Sequence, residues 1–155
     1  MYEHKNKIAL LYMYKCPLCL IDPLSHSLTE FLHKENILYY YTCPSKAKLY
    51  FDTNSIIHHY NGVLSEIPNK KQWVWVFDGF EFDFKHFLQI QVAIELAKLI
   101  STKFSHNLKK IIIINPTLYI SSIYNIITPF LSEKIKSIIE INYEYTTINE
   151  VILSI

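Results

Sequence analysis

An uncharged run from Ile111 to Leu131 constrains the fold of this chain more than any other feature of its sequence. The run begins with four isoleucines, whose β-branched side chains favour a strand that is buried on both faces, as in a parallel sheet. Asn115-Pro116 ends the strand, and the residues beyond it have helical spacing with one narrow polar stripe. Pro116 and Pro129 argue against a membrane span. The run therefore predicts a buried strand, a turn and a mostly apolar helix.

The segments on either side of this run predict an alternation of strands and helices. We predict strands at Ile8–Tyr14, Ile37–Thr42, Gln72–Asp78 and near Ser137–Tyr143, helices at Leu24–Glu35, Asn54–Ser65, Lys85–Lys103 and after Thr147, and a loop at Ile67–Lys71. From Gln72 onward the order is βαβαβα, which implies right-handed crossovers. The sequence thus predicts an α/β fold with a mostly parallel sheet and helices packed on it. Its length of 155 residues predicts a single domain, 1–155.

Composition and charge exclude several classes of function. Half of the residues are hydrophobic and 19% are charged, which excludes a disordered chain, and a net charge of +1 gives no general attraction to nucleic acid. The only glycines are Gly62 and Gly79, so glycine-rich phosphate loops and nucleophile elbows are absent. Asp78, Glu81 and Asp83 follow a strand, where we expect a solvated loop rather than paired catalytic acids. We therefore predict no catalytic residues and no enzyme.

Several short segments occur in a recognisable order between Gln72 and about Tyr143. A strand ending in Asp78-Gly79 leads to a long helix, and then to Phe104–Leu108. Next come a strand ending in Asn115-Pro116-Thr117 and a helix ending in Pro129-Phe130-Leu131. This order resembles the CRAL-TRIO family of lipid-binding domains, in which the corresponding parts are a strand with Asp and Gly, a Tyr-Pro-Glu-Arg-Leu segment, Asn-Ala-Pro and Pro-Phe-Leu.

The resemblance implies an apolar pocket with the sheet as its floor and helix 118–131 as a movable gate that meets membranes. It implies non-enzymatic binding, and transfer between membranes, of a phospholipid or other hydrophobic small molecule. A bound lipid takes the place of a cofactor, and a transient membrane surface is the implied partner. The implied pocket and gate residues are Ile112, Ile114, Tyr119, Ile120, Ile123, Tyr124, Ile126, Ile127, Phe130 and Leu131, with Val74 and Val76 in the floor.

The chain also departs from the family at the positions that bind an inositol headgroup. Alignment without gaps places His106 and Ile138 where the phosphoinositide-binding members have Glu and Lys. We also expect a minimal domain without the N-terminal helical bundle of full-length members. Both departures favour an alternative function, a protein-interaction domain of the same fold whose pocket is collapsed and whose partner is another protein.

Cys16-Pro17-Leu18-Cys19 supports two further hypotheses. A strand followed by this motif resembles thioredoxin-like thiol oxidoreductases, although Asp22-Pro23 interrupts the helix that should continue from it. The other hypothesis is a zinc site formed by Cys16, Cys19, Cys43 and either His58 or His59. Because a second ligand pair with standard spacing is lacking, we predict no metal site. Three cysteines leave one unpaired in any disulfide scheme. This suits a reducing compartment, so we predict a cytoplasmic protein that associates peripherally with membranes.

Overall fold

A five-stranded sheet organises this computed structural model, which describes residues 17–21 and 26–155. The strands are β1 (Thr29–Lys34), β2 (Ile37–Thr42), β3 (Gln72–Asp78), β4 (Leu108–Ile114) and β5 (Ile139–Asn142). They lie side by side in chain order, β1 antiparallel to β2 and every other pair parallel. The predicted α/β fold with a mostly parallel sheet is confirmed.

Seven helices accompany the sheet in this part of the chain. They are α1 (Pro17–Ile21), α2 (Thr53–Ser65), α3 (Phe84–Phe87), α4 (Ile90–Leu99), α5 (Leu118–Ile127), α6 (Glu133–Ile138) and α7 (Ile148–Ser154). A π-helical turn, Ile100–Phe104, extends α4, and a 3-10 turn, Thr128–Phe130, extends α5. Since strand order never reverses, right-handed crossovers bring α2, α4 and α5 to the same face of the sheet. Within the described ranges no helix combines the length and apolarity needed to cross a bilayer.

Both faces of the sheet are covered, which explains why its strands are so apolar. On the helical face, Trp73, Trp75 and Ile111 belong to the main hydrophobic core together with residues of α2, α4 and α5. On the opposite face, Val76 and Ile114 pack against Val151 of α7 in a second, smaller core. Successive residues of a strand therefore alternate between two apolar environments.

Several predicted elements are confirmed. Strands β2 and β3 have the predicted bounds, α2 begins one residue before the predicted Asn54, and α7 begins directly after Thr147. The four isoleucines lie in β4, which begins three residues before them, at Leu108. The strand expected near Ser137–Tyr143 is β5. It begins at Ile139, because Ser137 and Ile138 belong to α6. The strand predicted at Ile8–Tyr14 lies outside the described residues.

The helix predicted at Leu24–Glu35 is wrong, because the described part of that segment forms strand β1. A two-residue turn at Glu35-Asn36 folds β1 back on β2, with Glu35 in the left-handed region at φ 55°. Just before β1, the Ser27 hydroxyl accepts a hydrogen bond from the Cys43 N–H at 2.7 Å, which ties this segment to the end of β2. Pairing with the aromatic strand β2 outweighs the helical signal of the local sequence.

The prediction of one continuous helix at Lys85–Lys103 is also wrong, because the segment forms two helices, α3 and α4. Asp83 and His86 form a reciprocal capping box that sets the start of α3, and α3 ends after one turn, at Phe87. The chain leaves helical geometry at Gln89, where ψ is 40°, and α4 then starts at Ile90. The two pieces therefore have independent directions, and α3 contacts the N-terminal part of α5.

Candidate functional site

An apolar cavity of about 130 Å³, here called the chamber, lies between the helical face of the sheet and helices α4 and α5. Its wall is almost entirely hydrocarbon. The sheet contributes Trp75, Phe77, Ile111, Ile113 and Ile139, helix α4 contributes Val92, Ala93, Leu96 and Ala97, and helix α5 contributes Ile120, Ile123, Tyr124 and Ile127. The chamber therefore offers apolar contact from three sides, which is the environment that an acyl chain or a ring system requires.

The polar groups at one end of the chamber are already hydrogen-bonded to one another. Trp75 Nε1 donates to Thr42 Oγ1 at 2.9 Å, Thr42 Oγ1 lies 3.0 Å from the Tyr60 hydroxyl, and that hydroxyl donates to the Ser27 carbonyl at 2.8 Å. Burial raises the pKa of Tyr60, so its hydroxyl stays neutral. Among the described lining residues there is no carboxylate, ammonium or guanidinium group. The wall of the chamber is thus apolar and offers no charged group among the described residues.

The structure divides the predicted gate residues between two sides of α5. Ile120, Ile123, Tyr124, Ile127 and Leu131 line the chamber. Tyr119, Ile126 and Phe130 do not line it and are exposed on the other side of the segment. The sequence indicates this division through the spacing of its isoleucines, because residues three and four apart lie on the same face of a helix.

The four strand residues predicted in the pocket need correction. Ile112 and Ile114 in β4, and Val74 and Val76 in β3, point to the opposite face of the sheet, toward α7. Their neighbours in sequence line the chamber instead, which displaces the predicted floor by one residue in each strand. A run of identical isoleucines does not show which alternate set faces the helices. The tryptophans Trp73 and Trp75 were the available signal, since side chains of that size need the deeper core.

The two headgroup-equivalent positions also lie outside the chamber. The His106 side chain is exposed, and its backbone carbonyl accepts a hydrogen bond from Lys134 Nζ at 3.0 Å. Ile138 is half-buried against the main core. Neither residue contributes to the wall of the chamber.

Asp78 is buried at the carboxyl end of β3 and is a structural group. Its carboxylate accepts hydrogen bonds from the Tyr41 hydroxyl at 2.6 Å, the Phe80 N–H at 2.9 Å and the Asn115 amide at 3.0 Å. Burial and the bond to Asp78 raise the pKa of Tyr41. Asp83 caps α3. The expectation of a solvated acidic loop is therefore wrong for Asp78, whose side chain joins three segments of the fold.

An exposed apolar surface, here called the outer patch, lies beside the N-terminal end of α5. It consists of Phe84, Leu88, Leu118 and Tyr119, whose exposed fractions range from 38% to 86%. The Tyr119 ring lies 6.1 Å from that of Phe84 and 5.9 Å from that of Phe87, measured between centroids. These exposed hydrophobic side chains thus form a cluster at the surface and are not scattered singly.

Comparison with known proteins identifies the class of this domain. The fold is an open, mostly parallel α/β sheet with an apolar chamber under one helix. Residues 49–153 match the CRAL/TRIO domain, which covers more than half of the chain. The chain therefore belongs to the CRAL/TRIO domain family, a family of lipid-binding domains, and the resemblance seen in the sequence is confirmed.

Solved structures show the same fold. The crystal structure of Sfh5 is similar with a TM-score of 0.60 and 12% sequence identity, over 79% of this chain and 49% of that one. At this identity the similarity shows the fold alone, and the chain spans about half the length of the Sfh5 structure. No curated protein sequence matches this chain.

Proposed function

We propose that this domain binds a lipid or another hydrophobic small molecule in the chamber, without catalysis, and that α5 is the gate. The apolar wall between the sheet and α5 is the observation that carries the proposal. Each Å² of apolar surface removed from water contributes about 25 cal/mol, so an acyl chain is stabilised there without any charged contact. Membership of the CRAL/TRIO family supports the same conclusion.

The size of the chamber implies that α5 moves when a ligand enters. A volume of about 130 Å³ is below the roughly 300–1,000 Å³ of typical ligand pockets and is similar to cavities that hold benzene. The Thr128 hydroxyl bonds to a carbonyl of its own helix, whereas the Thr117 hydroxyl donates to the Phe82 carbonyl at 2.8 Å. Apolar contacts thus hold the body of α5, and a hydrogen bond anchors its N-terminal end. We infer that α5 swings outward about that end.

Filling the chamber should abolish ligand binding. We expect Ile123→Trp to project an indole into the chamber and to reduce the binding of a fluorescent fatty acid by at least tenfold, since about 1.4 kcal/mol of lost contact has that effect. Ile126→Trp is the matched control, because Ile126 lies on the same helix but outside the chamber. Fluorescence titration measures both variants, and native mass spectrometry with lipid extraction identifies any ligand that co-purifies with the wild type.

Two results would contradict the proposal. In one, the wild-type protein neither carries a hydrophobic ligand nor takes up the fatty acid. In the other, Ile123→Trp and Ile126→Trp bind the probe equally well while both retain wild-type circular dichroism.

The outer patch supports a membrane surface as the transient partner through which a ligand enters and leaves. Leu118 and Tyr119 are the first two residues of α5. Contact with a bilayer would therefore occur at the end where α5 is anchored. Fully burying one leucine side chain contributes about 1.5–3 kcal/mol, enough for reversible binding when several residues insert together.

A charge in the outer patch should weaken membrane binding. We expect Leu118→Glu to reduce co-flotation with phosphatidylcholine vesicles by about tenfold or more, because the leucine's burial is lost and a carboxylate must be desolvated. Leu153→Glu is the control, since Leu153 is 87% exposed on α7 and Leu118 is 86% exposed. If the two variants floated equally, the proposal that the outer patch contacts the membrane would be contradicted.

The small chamber favours a second candidate function, a protein-interaction domain with a collapsed pocket. In that case the core between the sheet and α5 stays filled and the exposed patch binds a protein. Light scattering that shows a stable homodimer or a defined complex, together with an empty chamber in native mass spectrometry, would favour this candidate. The thiol oxidoreductase hypothesis depends on Cys16 and on the strand at Ile8–Tyr14, both outside the described residues, and it stays a prediction.

A further inference from the structure

Three potential metal ligands from separate segments meet beside the polar end of the chamber. They are Cys19 in α1, His26 just before β1, and His59 in α2. Their ligand atoms lie within 4.8 Å of one another, and both histidines are buried. The zinc hypothesis drawn from the sequence named Cys43 and omitted His26. The Cys43 thiol contacts the Ser45 hydroxyl and the Phe80 carbonyl instead.

The two sulfur–nitrogen distances in this cluster suit tetrahedral coordination. Cys19 Sγ lies 3.5 Å from His26 Nδ1 and 3.7 Å from His59 Nδ1. Zinc bonds of about 2.3 Å to sulfur and 2.0–2.1 Å to nitrogen, at a tetrahedral angle, put the two ligand atoms about 3.6 Å apart. The thiol sulfur is therefore already at the required separation from both imidazole nitrogens.

The tautomer of His59 leaves the correct nitrogen available for a metal. His59 Nε2 lies 3.3 Å from the Leu28 carbonyl, which only accepts hydrogen bonds, so Nε2 carries the proton. Nδ1 then presents its lone pair toward Cys19. Metal-binding histidines commonly donate their second ring nitrogen to a backbone carbonyl in this way.

Charge compensation is also present. A divalent ion held by one thiolate and two neutral imidazoles leaves one positive charge, which is costly to bury alone. The Asp52 carboxylate, which caps α2, acts electrostatically on His26 and supplies an opposite charge. Zinc together with the Cys19 thiolate and the Asp52 carboxylate is neutral.

We propose that Cys19, His26 and His59 bind a structural Zn²⁺ ion that fastens α1 to α2 and to the start of β1. On binding, the Cys19 thiol releases its proton to solvent and its sulfur bonds the metal, with no change of oxidation state. Because His26 also lines the chamber, the ion holds one wall of the ligand site in place.

Spectroscopic titration of the 155-residue chain tests this site. The reduced, chelator-treated protein is titrated with Co²⁺, and we expect a thiolate-to-cobalt charge-transfer band together with the intense visible bands of tetrahedral cobalt. One equivalent of Zn²⁺ should remove both. Cys19→Ser should abolish the charge-transfer band, and His59→Asn should weaken Co²⁺ binding by at least the 10–100-fold that loss of an outer-shell partner costs.

His58→Asn is the matched control, because His58 adjoins His59 on α2 but is exposed and outside the cluster. It should bind Co²⁺ like the wild type. Cys19 lies on a short helix at the edge of the fold, so Cys19→Ser remains informative even if His59→Asn unfolds, and circular dichroism checks both variants. The proposal is overturned if the wild type gives no charge-transfer band, or if Cys19→Ser binds Co²⁺ with an unchanged spectrum.

Discussion

Gly79→Ala should destabilise the domain by about 3 kcal/mol, at the upper end of the cost of overpacking a core. A Cβ at this position would lie 2.6 Å from the Asn115 backbone oxygen and 3.2 Å from both Pro116 Cα and Ile120 Cγ1. The Gly79 N–H also donates to the Ile114 carbonyl at 2.8 Å, so the chain has little freedom to withdraw. Relief of the clash requires movement of the turn that leads from β4 into the gate helix.

Gly62→Ala provides the control for this prediction. Gly62 lies within α2 and does not have a positive φ, so alanine should stabilise the helix by about 0.5–1 kcal/mol. Urea denaturation of the wild type and both variants measures the free energies of unfolding. A loss below about 1 kcal/mol in Gly79→Ala would show that the turn at Asn115-Pro116 is more yielding than its packing indicates.

The sequence predicted those elements whose pattern has a local cause. Strands β2 and β3 are β-branched and aromatic runs next to turn residues, and their bounds were predicted correctly. The α5 residues that line the chamber, among them Ile120, Ile123 and Ile127, follow the helical spacing that is visible in the sequence. In these segments the local preference and the tertiary environment favour the same structure.

The errors arose where tertiary pairing decides the outcome. The segment at Thr29–Lys34 has a helical signal and becomes a strand only because β2 pairs with it. Which face each isoleucine of β4 occupies depends on the register with β3, which identical residues do not reveal. His26 and His59 are far apart in the sequence, and the contact of α2 with the segment before β1 is what brings their rings to 4.9 Å.

The functional proposals converge on the N-terminal end of α5. The outer patch, the anchoring bond of Thr117 and the tight contact at Gly79 all lie there, whereas the body of the helix contacts the sheet through hydrocarbon. A gate needs one fixed end and one that can separate from the floor. At the proposed fixed end, Thr117 bonds to the Phe82 carbonyl and Asp78 accepts a hydrogen bond from the Asn115 amide. Beyond the other end, opening would have to break the contact of Lys98 with the Phe130 ring and the hydrogen bond from the Ser132 N–H to the Ser101 hydroxyl.

Asp78→Ala should cost about 3–5 kcal/mol and should also loosen the gate. The substitution removes the acceptor for three donors, the Tyr41 hydroxyl, the Phe80 N–H and the Asn115 amide. Each buried polar group left without a partner costs about 1–3 kcal/mol, and some of the three will be rescued by water. Urea denaturation measures the total loss of unfolding free energy.

Asn115 connects this loss to the gate. Its backbone is in the left-handed region at φ 49°, and its side chain donates to the Thr146 carbonyl and accepts from the Thr146 N–H, each at 2.8 Å. Asp78 therefore fixes the side chain of Asn115, which links the segment before α5 to the segment before α7. We expect faster amide hydrogen exchange in α5 of Asp78→Ala than in α2, which has no contact with this network among the described hydrogen bonds.

Two further variants distinguish the effect of single hydrogen bonds in this network from the effect of losing the whole Asp78 carboxylate. Tyr41→Phe removes one donor and should cost about 1.5–3 kcal/mol, the range for a hydrogen bond to a charged group, without faster exchange in α5. Asp78→Asn keeps an acceptor oxygen for the Phe80 N–H and should fall between Tyr41→Phe and Asp78→Ala. If Asp78→Ala raised exchange equally in α2 and α5, Asp78 would stabilise the domain as a whole and would not act as the fixed point of the gate.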